Sequence, residues 1–288
     1  MHIPQRNRLL PVEKHRELAA QFTVVMIMTP WSMVSKVQAS DSVGCAKELM
    51  AQDSFDQLGV QNQGHFGLVR DTSFTGLDEQ ALITDMIEWY EPSGAITNNC
   101  QLIDGLNFLI ETPSRLVTDN GEVVGLVHRS DFNKQAVRTY LYLWLSALEM
   151  GLAEFIRREI PDHDDWIPLL SDPRQVNVAG NLYLAQRKKA ELVATEYLDL
   201  SDLVGVVTKA SGLDKEMWRI LGYNSKSQWS EATGPLVTLR NCIMHPVRTL
   251  VSDSDSVKRL VDCDAKLKVL VCKRRDYLFQ TQGIESKI

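Results

Sequence analysis

The chain lacks the long apolar run of roughly 20 residues that a membrane-spanning helix needs. Its start, Met1-His2-Ile3-Pro4, is not followed by a continuous apolar stretch of the signal-peptide type. It has only 5 cysteines, an odd number, and no two of them form a C-x-x-C pair. These absences argue against a membrane span, a secretory leader, a disulfide framework and a zinc site. We therefore expect a cytoplasmic protein without membrane contact, whose cysteines are buried free thiols.

The charge is distributed unevenly along the chain. The 288 residues carry a net charge of −6, with 44% hydrophobic and 24% charged residues, which are ordinary globular values. Residues 1–132 hold 9 basic against 17 acidic residues, and residues 133–288 hold 22 against 20. The length predicts two domains. A mildly basic second half is compatible with contact to nucleic acid, and equally with solvated helix faces.

The first half contains a repeat of about sixty residues. Gly67-Leu68-Val69 recurs as Gly125-Leu126-Val127, 58 positions later. Helical runs at Val43–Ala51 and Leu102–Ile110 precede the two copies. Each copy predicts strand, helix, strand, turn, strand, helix, with Asn-Gly at the second turn and Asp41 or Ser42 as the cap of the first helix. Neither copy is long enough to bury a core alone, so the two must pack as a pair.

This repeat resembles a tandem pair of CBS domains, also called a Bateman module. The residues that carry the resemblance are Met28-Thr29-Pro30, Ser114-Arg115-Leu116-Val117 and the closing stretch from Gly125 to Phe132. It implies an α/β domain over residues 1–132, with repeats at about 22–76 and 92–132. It also implies a cleft between the repeats that binds an adenine nucleotide, AMP, ADP or ATP, as a regulatory ligand.

The resemblance places the nucleotide contacts in the closing stretch, at His128, Ser130 and Asp131. Asp131 stands where the family has a carboxylate for the ribose hydroxyls, and a carboxylate can accept both. His128 replaces the usual Thr or Ser. In the first repeat Arg70 and Ser73 occupy the matching positions, so that site is degraded. The alternative is that Asp131 caps the helix that begins near Phe132.

The second half predicts helices alone, with no strand pattern after Val127. An unbroken helical periodicity runs from Asn133 to Ile160. Further predicted helices cover Gln175–Leu198, a segment capped by Asp199 that runs to Lys209, a short helix to Leu221, a helix opened by Thr233-Gly234-Pro235, and a last helix from Asp255 to about Phe279 capped by Asp253 or Ser254. In the first half we also predict helices at Pro11–Gln21 and Leu77–Tyr90. The fold class is therefore α+β with two domains, the second an all-α bundle over residues 133–288.

The stretch from Leu239 to Arg248 places Arg240, Asn241 and His245 close together. Asn241 and His245 are four residues apart and share a helix face, whereas Arg240 lies about 140° around the helix from His245. Pro246 predicts a kink. The stretch resembles the R-x4–6-H motif of HEPN domains, all-helical units found in many prokaryotic defence and toxin proteins. The alternative is that Arg240 pairs with a carboxylate and His245 caps a kinked helix.

The HEPN resemblance implies a metal-independent ribonuclease that needs no catalytic cofactor and acts on RNA as a homodimer. In it His245 moves the proton, Arg240 steadies the phosphate and Asn241 orients His245. Our first hypothesis is accordingly a ribonuclease regulated by an adenine nucleotide. The second is a non-catalytic regulatory or interaction protein whose repeat pair senses the nucleotide.

Overall fold

The chain folds as a mixed α+β protein with two compact units. The computed structural model describes residues 12–91, 94–188, 194–210 and 216–280. One unit comprises Phe22–Lys134 and Val251–Val257, and we call it the repeat unit. The other comprises Gln135–Leu250 and the described parts of Met1–Gln21 and Lys258–Ile288, and we call it the helical unit. The domain bounds expected from the sequence, 1–132 and 133–288, remain a proposal.

The repeat unit contains eight strands and two α-helices among the described residues. In chain order they are β1 (Thr29–Pro30), β2 (Lys36–Val37), α2 (Val43–Asp53), β3 (Gln57–Asn62), β4 (His65–Arg70), β5 (Glu88–Trp89), β6 (Ile96–Thr97), α3 (Leu102–Asn107), β7 (Ser114–Asp119) and β8 (Glu122–His128). They form two four-stranded sheets, ordered β2-β3-β4-β5 and β1-β8-β7-β6. The predicted pair of sheet-containing repeats is therefore present.

The two sheets exchange their leading strands. β1 lies at the start of the first repeat in sequence yet pairs antiparallel with β8 of the second repeat. β5 precedes the second repeat yet pairs with β4 of the first. An apolar cluster with members from both sheets joins them: Trp31, Leu68, Leu116 and Leu126. The predicted hairpin turns are confirmed, since Gln63, Gly64, Asn120 and Gly121 all have the positive φ that a two-residue turn of type I′ requires.

Two predictions for the repeat unit are wrong. Leu77–Tyr90 is not a helix but extended chain with a single 3-10 turn, Ile83–Met86. The carbonyls of Glu79 and Ala81 accept hydrogen bonds from Gly44 and Val43, so these two carbonyls cap α2 and are not used for helical hydrogen bonds within the segment. The helix expected at the end of the first repeat is only the 3-10 turn Asp71–Phe74. The prediction for α2 is confirmed, with the Ser42 side chain as its cap.

The helical unit is built around one long helix. Its helices are α1 (Val12–Ala19), α4 (Gln135–Glu159), α5 (His163–Trp166), α6 (Asp172–Arg187), α7 (Leu200–Lys209), α8 (Met217–Ile220) and α9 (Lys226–Met244), and α10 (Ser254–Gln280) begins in the repeat unit and continues here. α4 buries Val137, Leu141, Trp144, Leu148 and Phe155, which confirms the periodicity of that segment. It packs against α1, α7 and α9.

Two helix starts differ from the sequence prediction. α9 begins at Lys226, capped by Ser225, and continues through Pro235 instead of beginning there. Pro235 and the residue four before it, Glu231, are both exposed, so water can bond the carbonyl that the proline leaves free. α6 begins at Asp172 rather than Gln175, with Pro173 in its first turn. Residues 189–193 of the predicted helix to Leu198 lie outside the described residues.

The cysteines are all free thiols, but the expectation that they are buried is wrong for most of them. Only Cys263 is buried, Cys45 is exposed and the other three are intermediate. Burial raises the pKa of the Cys263 thiol to about 11. Within the described residues, no helix combines the length and apolar character that crossing a bilayer would require.

Candidate functional sites

The closing motif of the second repeat forms a tight polar turn after β8. The Asp131 carboxylate is buried, and its Oδ2 accepts a hydrogen bond from the backbone N–H of His128 at 2.7 Å. Its Oδ1 lies 2.8 Å from Nζ of Lys134. Nδ1 of His128 lies 2.8 Å from the Ser130 hydroxyl and accepts from the Ser130 N–H. The sequence-predicted residues thus lie together, and Asp131 acts as a capping carboxylate.

Polar side chains also join the two repeats. Nε2 of His128 lies 3.5 Å from the Asp56 carboxylate of the first repeat, and this contact lowers the pKa of the Asp56 carboxyl group. Arg70 donates to the Ser114 hydroxyl of the second repeat at 3.3 Å, and Ser114 donates to Gln57. We call these five residues, which come from both repeats, the polar seam. Sequence reasoning named Arg70 and His128 as site positions and Ser114 as part of the repeat motif, but it did not name Asp56 or Gln57.

The polar seam has an unsatisfied donor. Arg70 forms an ion pair with Glu88 through Nη1 and bonds Ser114 through Nη2, while its Nε is buried without an acceptor among the described residues. A buried donor without a partner costs about 1–3 kcal/mol. An anionic group bound beside Arg70 would supply the missing acceptor. The seam therefore has the chemistry of an anion-binding site between the repeats.

The motif on α9 meets solvent at the end of the helix. α9 ends at Met244, and His245 follows it with φ −115° and ψ 90°, so the helix stops at the position where a kink was expected. Asn241 and His245 are exposed, and neither makes a side-chain hydrogen bond within the part of the chain described. The Asn241 amide therefore does not bond to the His245 ring in the single chain.

Arg240 is held by a carboxylate on the neighbouring helix. Its Nε donates to Oε1 of Glu149 on α4 at 3.2 Å, and each of the two side chains is about a quarter exposed (27% and 26%). The sequence analysis gave pairing of Arg240 with a carboxylate as the alternative, although it could not identify Glu149 as the residue that supplies the carboxylate. An incoming phosphate would have to compete with Glu149 for the guanidinium group.

A buried arginine supports the same stretch and was missed by the sequence reasoning. Arg138 on α4 donates to the backbone carbonyl of Cys242 at 2.8 Å and also to that of Arg248. The sequence signal was a charged residue between Val137 and Tyr140, inside the apolar face of α4. Nothing local to residues 240–248 indicates this contact, because it spans more than a hundred positions of sequence.

Comparisons with known proteins found similarity to solved structures only. No family model matches the sequence, and no curated protein matches it. The crystal structure of CBSX2 in complex with AMP is 22% identical, with a TM-score of 0.35, over 42% of this chain and 97% of that one. CbpB in complex with c-di-AMP is 15% identical, with a TM-score of 0.37, over 46% and 94%. A CBS domain-containing protein from Bacillus anthracis is 15% identical, with a TM-score of 0.35, over 40% and 93%. These matches to CBS-domain proteins cover the N-terminal part of the chain.

Proposed function

We propose that the repeat unit is a CBS-type pair that binds an adenine nucleotide as a regulatory ligand. The polar seam is the observation that carries this proposal. Apolar side chains are the least costly groups to bury between two packed repeats, yet here the guanidinium of Arg70 lies between them. Its side chain is only 13% exposed, and its Nε has no acceptor among the described residues. A nucleotide phosphate fits that donor in charge and geometry. The AMP and c-di-AMP complexes above indicate which ligands to test first.

His128, Ser130 and Asp131 remain the proposed contacts for the rest of the nucleotide. Asp131 keeps one carboxylate oxygen on the His128 N–H as a cap. Among the described residues its other oxygen contacts Lys134, whose side chain is 45% exposed and also donates to the carbonyl of Ile27. Release of Lys134 would free that oxygen for a ribose hydroxyl. Only one site of this kind is expected, because the first repeat has Arg70 and Ser73 at the matching positions.

The test is a thermal unfolding experiment on the full chain with AMP, ADP, ATP and c-di-AMP. A ligand at 100 times its Kd adds about 2.7 kcal/mol to the free energy of unfolding. Arg70→Met should abolish the ligand-induced shift, and Asp131→Ala should reduce it. Arg157→Met, which lies on α4 and pairs with Glu154, is the matched control that should keep the full shift. If no nucleotide moves the transition of the wild type, the proposal fails for these ligands.

We propose, as a second function, that the helical unit is a HEPN-like metal-independent ribonuclease. The observation that favours it is the exposure of Asn241 and His245, with no partner found for either side chain in the described chain, beside an arginine held at the surface. In this reaction the RNA 2′-oxygen attacks the adjacent phosphorus and the 5′-oxygen leaves, which gives a 2′,3′-cyclic phosphate and a 5′-hydroxyl. His245 takes the 2′-hydroxyl proton, the protonated imidazole then gives a proton to the departing 5′-oxygen, and Arg240 stabilises the charge on the phosphoryl oxygens.

A single copy holds one Arg240, one Asn241 and one His245, and the amide does not orient the imidazole within it. We therefore include a homodimer in this proposal, with the same stretch of a second copy completing the site. The nucleotide bound by the repeat unit would set the activity. A protein that binds nucleotide but never cuts RNA would instead be the non-catalytic regulator of the second hypothesis.

The ribonuclease test uses purified full-length protein, RNA and excess EDTA. Wild type should cut the RNA, and His245→Ala should not. His163→Ala, a substitution at another exposed histidine of the helical unit, is the control and should leave cutting intact. RNA with 2′-deoxy sugars should resist, since the attacking oxygen is missing. Equal behaviour of wild type and His245→Ala would exclude the mechanism.

A further inference from the structure

Arg138 is a buried cation that donates hydrogen bonds to two backbone carbonyl groups. Arg138 as a whole is only 5% exposed. One guanidinium nitrogen donates to the carbonyl of Cys242 at 2.8 Å, and another donates to the carbonyl of Arg248. A buried charge costs several kcal/mol unless it is fully compensated. The carbonyls at the C-terminal end of a helix carry partial negative charge, which compensates a cation placed there.

The two carbonyls lie on either side of His245, each three residues away. Between them, the backbone N–H of Arg248 donates to the carbonyl of His245 at 2.9 Å, so the segment closes into a turn. Arg138 therefore connects both ends of that turn to one point on α4. The neighbouring residues Val137 and Leu141 are fully buried, which fixes that point in the core of the helical unit.

The same helix also controls the other half of the motif. Glu149 of α4 binds Arg240, and Arg138 of α4 binds the turn that contains His245. Arg240 and His245 are thus positioned by one rigid element and not by α9 alone. This matters because His245 lies beyond the end of α9, where helical hydrogen bonds no longer hold its backbone.

We propose that Arg138 is a positioning residue that fixes the His245 turn relative to Arg240, an inference that rests on the ribonuclease function proposed above. Arginine suits the role because its planar guanidinium offers several donors in a fixed fork, which can reach two carbonyls at once. Lysine keeps the charge but acts as a point donor on a flexible stem. Arg138→Lys therefore keeps the positive charge but removes the fixed fork of donors, so it shows whether the charge or the donor geometry matters.

The experiment compares wild type with Arg138→Lys and the matched control Arg174→Lys. Arg174 also lies in the helical unit and also bonds a backbone carbonyl, that of Tyr197, besides Asp202. Its side-chain contacts lie on residues 177, 197 and 202, away from residues 240–248. Three quantities are measured on the full chain: the midpoint of thermal unfolding, kcat and KM for RNA without metal, and amide hydrogen exchange of peptides covering residues 243–250.

We expect Arg138→Lys to lower kcat about 100-fold, the size of effect that a misplacement of about 1 Å produces, with little change in KM. Exchange at residues 243–250 should become faster while the rest of the helical unit stays protected. Arg174→Lys should lower the unfolding midpoint and leave kcat unchanged. Arg138→Gln, which retains a neutral donor, replaces the lysine variant if that variant does not fold.

Several results would overturn the inference. If both variants at Arg138 fail to fold, or if kcat falls only in proportion to the unfolded fraction, Arg138 has a structural role alone. Unchanged exchange at residues 243–250 would show that Arg138 does not hold the turn. If the wild type cuts no RNA while amide hydrogen exchange at residues 243–250 is still faster in Arg138→Lys, the ribonuclease proposal fails. Arg138 then only holds the backbone of the turn.

Discussion

From the ion pair between Glu149 and Arg240 we predict that replacing the charged Glu149 with an uncharged residue strengthens the RNA binding proposed above. Nε of Arg240 lies 3.2 Å from the carboxylate, and neither side chain is more than 27% exposed. At an effective dielectric constant of about 20, two unit charges at that separation attract with about 5 kcal/mol before desolvation and side-chain entropy are deducted. Measured net values for such pairs reach about 1 kcal/mol.

A phosphate that takes the Nε donor of Arg240 displaces Glu149 and forfeits that net energy. Glu149→Gln keeps the shape and removes the charge, so RNA should bind tighter by up to about 1 kcal/mol, or about fivefold. The gain should shrink as salt rises, because these charges are partly exposed to screening. The free energy of unfolding should fall by no more than about 1 kcal/mol, the net value of the lost pair.

The assay is fluorescence anisotropy with a labelled 2′-O-methyl RNA, which cannot be cut and so reports binding alone. Glu154→Gln is the matched control, because Glu154 lies on the same helix and pairs with Arg157 and Arg158 instead of the motif. It should leave the Kd unchanged. Equal Kd values for wild type and Glu149→Gln would show that Glu149 does not compete with RNA for Arg240, and the competition argument would have to be abandoned.

Three further outcomes follow from the structure. The lowered pKa of the Asp56 carboxyl group means that its contact with His128 stabilises the fold above about pH 4, where a free Asp carboxyl group is ionised. This stabilisation is lost as the pH falls through the pKa of Asp56 in the folded state. Asp56→Asn should therefore flatten that part of a curve of unfolding free energy against pH. Pro235→Ala restores a backbone N–H that can donate to the carbonyl of Glu231, so it should raise the free energy of unfolding in urea by about 1–2 kcal/mol. This gain is smaller than the full helix penalty of proline, because the unfolded chain also gains conformational freedom. Gly125→Ala would place Cβ 2.8 Å from a carbonyl oxygen of β1, so it should lower the unfolding midpoint, and an unchanged midpoint would contradict the close approach.

Local signals predicted much of the repeat unit. The Asn120-Gly121 turn and the Ser42 cap are determined by residues adjacent in sequence, and both were predicted. The segment Leu77–Tyr90 was predicted wrongly because its carbonyls bond to the start of α2, some 35 residues away, and apolar spacing does not report such contacts. The exchange of β1 and β5 between sheets was not predicted for the same reason, since strand pairing over long separations leaves no local pattern.

The motif on α9 could be read from the sequence, but its surroundings could not. Arg240, Asn241 and His245 are close in the chain, so their spacing was visible. The two α4 residues that contact this stretch, Glu149 and Arg138, lie about 90 to 110 positions away, and no periodicity connects them to it. The continuity of α9 through Pro235 was missed because proline is favoured in the first turn of a helix. Here the burial of Trp229 and Thr233 before Pro235, and of Leu236 and Leu239 after it, favours the helix on both sides.

Because β1 and β5 each pair with the sheet of the other repeat, the segment that repeats in the sequence is not the segment that forms one complete sheet. A chain cut between the two repeats would leave each half with the edge strand that belongs to the other half's sheet. Each fragment would then present an open strand edge, which is a template for pairing with another chain. Two such halves are therefore complementary pieces that can recombine, and neither is an independent domain. Loss of either leading strand would consequently remove backbone hydrogen bonds from the sheet of the other repeat.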